Sequence, residues 1–325
     1  RDYKEKKYLQ YIDAEKIDIG DSIACINGVS IFGDKKMLDA RLTGLLIGDG
    51  TYGMHKNSCG IILINSDNEV WNYVESKYKT RDTITPVKTK NGNLLRKASV
   101  HGFVQELRNL KIAGQTKDRK RLPENIHSYC KQDICDLLGG YFDSDGCVYI
   151  NKTSVNDSKN LHQCLIKVSS SNIEILKETQ LLLLKLNVHS KISYCKPNFN
   201  NPKTTRGHYN LNIYDRDSLL NFIDNVSFLI KYKQKLALEI KELLLNNLDK
   251  QKVFKLDDLY LEKVISIENI GVKRVFNLTA DTTNTYIANG FVTHNTGGNV
   301  EKSKDAEGVF FNPKSGYAKA FINEG

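Results

Sequence analysis

Leu138-Gly139-Gly140-Tyr141-Phe142-Asp143-Ser144-Asp145-Gly146 decides how this chain is read, because Leu42-Thr43-Gly44-Leu45-Leu46-Ile47-Gly48-Asp49-Gly50 repeats its pattern 96 residues earlier. Each is a short apolar run set with small residues and closed by Asp-Gly. Gly44 and Gly48 stand four apart, so on a helix they share one face. Gly140 and Ser144 have the same spacing. A face without side chains lets a partner helix come very close. Two such helices packed together bring Asp49 and Asp145 side by side at one end. Adjacent carboxylates repel unless a cation sits between them, and a hard divalent ion with oxygen ligands suits that place. One glycine-rich apolar helix is ordinary packing; two copies in matching surroundings are a repeat.

The composition agrees with a soluble, polyanion-binding protein of two or three domains. The 325 residues are 40% hydrophobic and 26% charged, with a net charge of +9. The excess is concentrated: Lys88 to Lys131 holds eleven Lys/Arg against three acids, and Asn187 to Ile213 holds four against none. On strands rich in Asn, Ser, Thr and Tyr, such blocks fit a nucleic-acid surface better than a merely solvated one. The seven cysteines form no Cys-x-x-Cys pair, which argues against zinc and for free thiols in a reducing, cytoplasmic compartment. No apolar run approaches a membrane span, so no membrane partner is expected.

Around the motifs the chain alternates in a fixed order. After the first come strand-forming residues over 54–65, a helix over 68–77 capped by Ser66 and Asp67, strands over 80–90 and 93–100 about an Asn-Gly turn, and a helix over 102–112. After the second come strands over 147–151 and 162–169, a helix over 173–186 capped by Ser171-Asn172, strands over 188–196 and 208–214, a helix from Asp215 and a long helix over 231–247. Each half reads α-β-β-α-β-β-α, an internal duplication.

Both motif stretches resemble the signature of the LAGLIDADG homing endonucleases. That family carries its catalytic acid at the eighth motif position. The resemblance implies Asp49 and Asp145 as catalytic groups that hold Mg2+ or another divalent metal such as Mn2+. The sixth position departs in the first copy, as Ile47, and is Asp143 in the second. Lys120-Arg121-Leu122-Pro123 resembles the Lys-x-x-Pro block ahead of the second motif and implies a catalytic Lys120. Phe228-Leu229-Ile230-Lys231-Tyr232-Lys233-Gln234-Lys235 resembles the matching Lys-rich segment and implies Lys233, with Lys231 as alternate. The implied fold is α+β, a pseudo-twofold αββαββα duplication over 37–250 (repeats 37–131 and 132–250) with an antiparallel saddle for double-stranded DNA. Both motif helices lie in one chain, so a monomer is expected. Lys88, Lys90, Arg96, Lys191, Lys196, Arg206 and Tyr209 are candidate DNA contacts. Their facing depends on strand register, and a one-residue slip exchanges the two sides.

The last third resembles inteins. Val275–Ala280, Thr285-Tyr286-Ile287-Ala288-Asn289-Gly290 and Phe291-Val292-Thr293-His294-Asn295-Thr296 are similar to the terminal blocks of that family, in the right order. The resemblance implies that Asn295 cyclises and cleaves its own peptide bond, that His294 protonates the leaving group, and that Thr296 is the acceptor nucleophile. Asn277 and Asn284 stand where the family often has a proton-handling Asp or His. Ile17-Asp18-Ile19-Gly20-Asp21 resembles a later strand–turn of the same all-β Hint domain, without the Cys or Ser that opens it. The expected layout is a partial splicing segment over 1–36, the endonuclease over 37–250, the C-terminal splicing segment over 251–295 and the start of a host protein over 296–325. Splicing then needs a separate N-terminal segment as partner. Two rival readings stand beside this one: a DNA-binding but cleavage-inactive remnant, and an RNA-binding maturase-like protein.

Overall fold

In the computed structural model the described residues are 12–26, 28–55, 58–84, 87–88, 94–151, 164–197, 207–246, 259–269, 285–288, 290–294, 308–312 and 317–321. They divide into two compact units, one drawn from Arg1–Val29 and Lys252–Gly325, the other from Ser30–Gln251.

The larger unit is built twice. Helix α1 (Ala40–Asp49) leads into β1 (Gly50–Thr51), β2 (Ile62–Asn65), α2 (Asn68–Glu75), β3 (Thr80–Asp82), β4 (Leu94–Val100) and α3 (Val104–Asn109). Helix α4 (Lys131–Ser144) then leads into β5 (Gly146–Ile150), β6 (Cys164–Ser170), α5 (Ile173–Lys185), β7 (Lys191–Cys195), β8 (His208–Ile213), α6 (Arg216–Asn225) and α7 (Lys231–Asn246). Each half forms an antiparallel sheet of the same order, β1-β2-β4-β3 and β5-β6-β8-β7. The register repeats as well: Gly50 lies opposite Leu63, and Gly146 lies opposite Val168. The expected mixed fold with antiparallel sheets is therefore observed. The first half adds two short pieces, a Met54–His55/Ser58–Cys59 hairpin and the strand Val87–Lys88.

Each sheet turns one side to the helices, and alternation along the strands shows which. In β6, Cys164, Ile166 and Val168 are buried while Leu165, Lys167 and Ser169 are not. One continuous core joins these inward residues to α1, α4 and the flanking helices. The caps follow the sequence in part. Asp39, Asn172 and Asp215 each accept a backbone N–H of the helix they open. Asp67 precedes α2 but its side chain makes no cap bond; the Asp67 N–H instead donates to the Asn65 side chain at 2.7 Å.

The smaller unit holds an antiparallel sheet in which the strand Ser22–Ile26 pairs with Leu259–Lys263 and, through Cys25, with Phe291–His294, which pairs with Thr285–Ala288. Gly20 makes the turn before it with φ +101°, a conformation that glycine adopts without strain. The strand expected over 272–280 lies outside the described residues. Among the described residues no helix is long and apolar enough to cross a membrane.

Candidate active site

The two motif helices touch through their small residues. A Cβ added at Gly44 would fall inside contact of the Leu137 carbonyl oxygen, and one added at Gly140 inside contact of the Arg41 carbonyl oxygen. Further along, Gly48 faces Ser144, whose hydroxyl donates to the Leu45 carbonyl of the other helix at 3.1 Å. At that level the Asp145 carboxyl carbon lies 3.4 Å from where a Gly48 Cβ would stand. The glycine thus brings the Asp145 carboxylate to the end of α1, against the residue that precedes Asp49. The spacing in the sequence predicts the close helix pair, and the small residues Gly44, Gly48 and Gly140 are its cause.

Both predicted lysines arrive at the same place, and in the same way. Lys120, 9% exposed, donates to the carbonyls of Leu46, Ile47, Gly48 and Gly50 at 3.2, 2.7, 3.0 and 2.7 Å. Lys233, 4% exposed, donates to those of Phe142, Asp143 and Gly146 at 3.0, 2.5 and 2.8 Å. Three of the four Lys120 acceptors, Leu46, Ile47 and Gly50, are the twofold mates of Phe142, Asp143 and Gly146, 96 residues apart. Each ammonium satisfies the orphan carbonyls at a motif helix's C-terminus, where the helix dipole also favours a cation. Burial lowers the Lys233 pKa, against the raising effect of Asp143, Asp67 and Asp49. Lys231, the alternate, is exposed. Lys120→Met is expected to leave several buried carbonyls without a donor and to cost about 2–3 kcal/mol in urea unfolding.

Asp49 is held by a residue that the sequence reading passed over. Asn65 Nδ2 donates to Asp49 Oδ2 at 2.6 Å. Burial raises the Asp49 pKa, while the Asn65 hydrogen bond and the charges of Lys233 and Lys120 oppose the rise. Asp67 is raised by its own burial, with Lys233 opposing. Asp143, at the sixth motif position, does not face this site. It is buried, accepts the backbone N–H groups of Leu229 and Ile230 at 2.9 and 3.2 Å, and lies 3.5 Å from the Arg41 guanidinium. It therefore anchors the segment that opens α7 and carries Lys233. Ile47 at the matching position of the first copy is core.

The donor set suits a hard divalent cation. Among the described residues no group of three or more His, Cys, Asp or Glu could hold an ion. Two carboxylates alone fit a Mg2+-like ion, which keeps waters and takes further oxygens from substrate phosphates. A buried carboxylate whose pKa is raised also gains most from a cation at its side.

The candidate DNA contacts divide by pleat. On the sides turned from the helices lie Arg81, Lys97 and Ser99 in the first sheet, and Lys167, Lys191, Asn210 and Asn212 in the second. Ser169 Oγ donates to Asn210 Oδ1 at 2.7 Å, and Asn212 Nδ2 to Ser193 Oγ at 3.0 Å. Lys191 thus lies on the side of its sheet turned from the helices, as do Lys167 in the same sheet and Lys97 and Arg81 in the first. Three expected contacts fall on the other side. Arg96 is in phase with buried Ala98 and Val100, lies over the Trp71 ring and pairs with Glu75 at 2.7 Å and Asp82 at 2.6 Å. Lys88 pairs with Leu94 and shares its phase. Tyr209 is in phase with Leu211 and Ile213 and packs against the core beside Tyr194, ring centroids 5.1 Å apart. Lys196 is exposed beyond the end of β7. Lys90, Arg206, Asn295 and Thr296 lie outside the described residues, and His294 is described only as a strand residue opposite Thr285.

Residues 134–227 match the family model described as the LAGLIDADG-like domain. The chain is 28% identical over 194 residues to a probable translation initiation factor IF-2 of Methanocaldococcus jannaschii, covering 59% of this chain and 15% of that protein. It is 26% identical over 272 residues to a DNA polymerase of Thermococcus litoralis, covering 79% of this chain and 14% of the polymerase. A similar match joins it to the replicative helicase DnaB of Synechocystis, 22% identical, covering 61% of this chain and 29% of the helicase. The chain thus spans a small part of the length of the curated relatives it matches. Among solved structures it is similar to the homing endonuclease I-WcaI bound to its DNA recognition sequence, at 16% identity and TM-score 0.40, covering 62% of this chain and 88% of that one. It is also similar to the LAGLIDADG meganuclease I-AabMI bound to uncleaved DNA, at 12% identity and TM-score 0.38, covering 63% and 91%.

Proposed function

Since residues 134–227 are a LAGLIDADG-like domain, we propose that the chain is an intein-borne homing endonuclease that makes a metal-dependent, site-specific double-strand cut in DNA. The observation that supports this reading is the close pair of twin motif helices, which sets the Asp145 carboxylate against Gly48, the neighbour of Asp49, with each helix end clamped by a buried lysine. The relatives support the intein setting. An initiation factor, a polymerase and a helicase share no activity, yet each matches through a short stretch of its length. A mobile insert explains that pattern better than any host's chemistry.

In this reading Asp49 and Asp145 hold divalent metal together with phosphate oxygens. Bound metal supplies an activated water and charge relief on the phosphate. The protein's own part is positional. Ser144 and Gly48 fix the separation of the carboxylates, and Lys120 and Lys233 hold the helix ends that carry them. Lys97, Arg81, Lys167 and Lys191 meet phosphates. The smaller unit is the splicing part, with His294 protonating the leaving group as Asn295 cyclises ahead of Thr296.

The test is incubation with Mg2+ and a duplex in which the host coding sequence is joined without its insertion. Double-strand cleavage that requires the metal and disappears in Asp145→Asn supports the reading. Salt-sensitive binding without cleavage assigns an inactive remnant instead, and neither binding nor cleavage discards the endonuclease. Binding is expected to fall steeply between 50 and 200 mM salt, about 10³-fold or more if six phosphates are neutralised. Charge removal at Lys97 and Lys167 is expected to flatten that slope.

A further inference from the structure

The two halves share fold, register and lysine clamps, yet differ at the strand position two residues beyond the partner of each motif's closing glycine. Asn65 stands two residues beyond Leu63, the partner of Gly50; Ser170 stands two beyond Val168, the partner of Gly146. The two are structural twins. Asn65 is 5% exposed and its orientation is fixed from both ends. Its Oδ1 accepts the Asp67 N–H at 2.7 Å, and its backbone carbonyl accepts Trp71 Nε1 at 3.1 Å. With Oδ1 so committed, Nδ2 points to Asp49 Oδ2, 2.6 Å away. The twin is engaged differently. Ser170 Oγ accepts the Asn172 N–H at 3.1 Å and hydrogen-bonds with the Tyr141 hydroxyl.

We propose that Asn65 is a positioning residue for Asp49, and that it makes the two halves of the active site inequivalent. The amide fixes the rotation of the Asp49 carboxylate and occupies Oδ2, so that Oδ1 is the oxygen left for a cation. The Asp145 half has a short hydroxyl at the corresponding place, already held by Asn172 and Tyr141. A buried amide that orients a ligand without touching the ion is worth about 10- to 100-fold in metal affinity or rate. The consequence is strand-specific: the phosphodiester served by Asp49 depends on Asn65, and the one served by Asp145 does not. This inference rests on the endonuclease reading.

The test uses the full chain and Asn65→Ser, which installs the twin's residue and keeps a fold that Ser170 already tolerates; Asn65→Ala is the second variant. Mn2+ binding to each protein on an uncleavable phosphorothioate duplex is read by electron paramagnetic resonance. Nicking of the two strands is followed separately on a duplex labelled at both 5′ ends. The expected result is weaker binding at one Mn2+ site and slower nicking of one strand, each by about 10-fold or more, with the other site and strand within about threefold. In an Asp49→Asn background, Asn65→Ser is expected to add nothing to the Mn2+ loss. Equal slowing of both strands, or a further loss of Mn2+ in that background, overturns the proposal and makes Asn65 a structural residue. Unaltered chain that binds no Mn2+ on the duplex and cuts neither strand removes the endonuclease reading, and this inference with it. Unaltered chain that binds and cuts, with Asn65→Ser indistinguishable from it, removes this inference alone.

Discussion

Gly44→Ala and Gly140→Ala are each expected to destabilise the larger unit by about 3 kcal/mol or more, through a single methyl group. An alanine is ordinarily the better helix former by about 1 kcal/mol, so the sign here is set by packing. The Cβ added at Gly44 meets the Leu137 carbonyl and lies 2.7 Å from the Tyr141 nitrogen; the one added at Gly140 meets the Arg41 carbonyl and lies 2.8 Å from the Leu45 nitrogen. These are backbone atoms of the facing helix, so no rotamer change relieves them. The helices must separate, and they carry Leu42, Leu45, Leu46, Leu137 and Leu138, all fully buried. Overpacking a well-packed core costs about 1–3 kcal/mol, and opening this seam adds lost burial to it. Gly53→Ala is the control: nothing lies within 4 Å of its added Cβ, and a change within about 0.5 kcal/mol is expected. Urea unfolding followed by fluorescence of Trp71, the chain's single tryptophan and 4% exposed, reads all three. Variants at Gly44 and Gly140 as stable as Gly53→Ala would refute the close helix seam.

The parts of this molecule that were legible in the sequence are those governed by short spacings. The four-residue interval of small residues predicted the helix pair and its close approach. The Asn172 and Asp215 caps were legible because a cap acts within three residues. Strand facing was not. Arg96 and Lys97 are equally basic neighbours, and only the pairing of Ile64 with Lys97 and of Leu63 with Ala98 sends Lys97 away from the helices and Arg96 onto Trp71. Nothing within either strand fixes that phase, because β4 reads Leu-Leu-Arg-Lys-Ala-Ser-Val, with an apolar residue available to both sides at its start. The facing of Tyr209 was hidden for the same reason, since Leu211 and Ile213 claim its side of β8 for the core. Asn65 escaped notice because its role depends on a contact 16 residues away and on a helix start where Asp67 looks like the cap. Its signal was the Asn-Ser-Asp run at the end of a strand, where the Asn65 oxygen takes the Asp67 N–H and leaves the amide nitrogen to reach Asp49.

Asp49→Asn is expected to abolish cleavage and, in the absence of metal, to stabilise the fold. The first effect follows if Asp49 holds the ion directly: the loss should exceed about 100-fold, the upper range for a group that only supports a ligand. The second follows from burial. The folded-state pKa of Asp49 lies above that of the unfolded chain, about 4, chiefly because burial disfavours the charged form. Between those two values the folded chain binds more protons than the unfolded one, so stability falls as pH rises through that window. Above the raised pKa the full penalty is present, and below about pH 4 both states are protonated and it vanishes. Asparagine removes the penalty, and its side-chain oxygen can still accept from Asn65. The variant should therefore be more stable than the unaltered chain at neutral pH in EDTA, by about 0.5–2 kcal/mol as is common where function is relieved. The difference should shrink as the pH approaches 4. Asp145 is exposed and has no such burial penalty to relieve, so Asp145→Asn should lose as much cleavage without the gain in stability. Urea midpoints at pH 4 and pH 7.5 in EDTA, set beside cleavage in Mg2+, measure both quantities. A less stable Asp49→Asn at neutral pH would mean that Lys120, Lys233 and Asn65 together outweigh burial. Asp49 would then be an ion-paired structural carboxylate, with no gain to make from a metal ion.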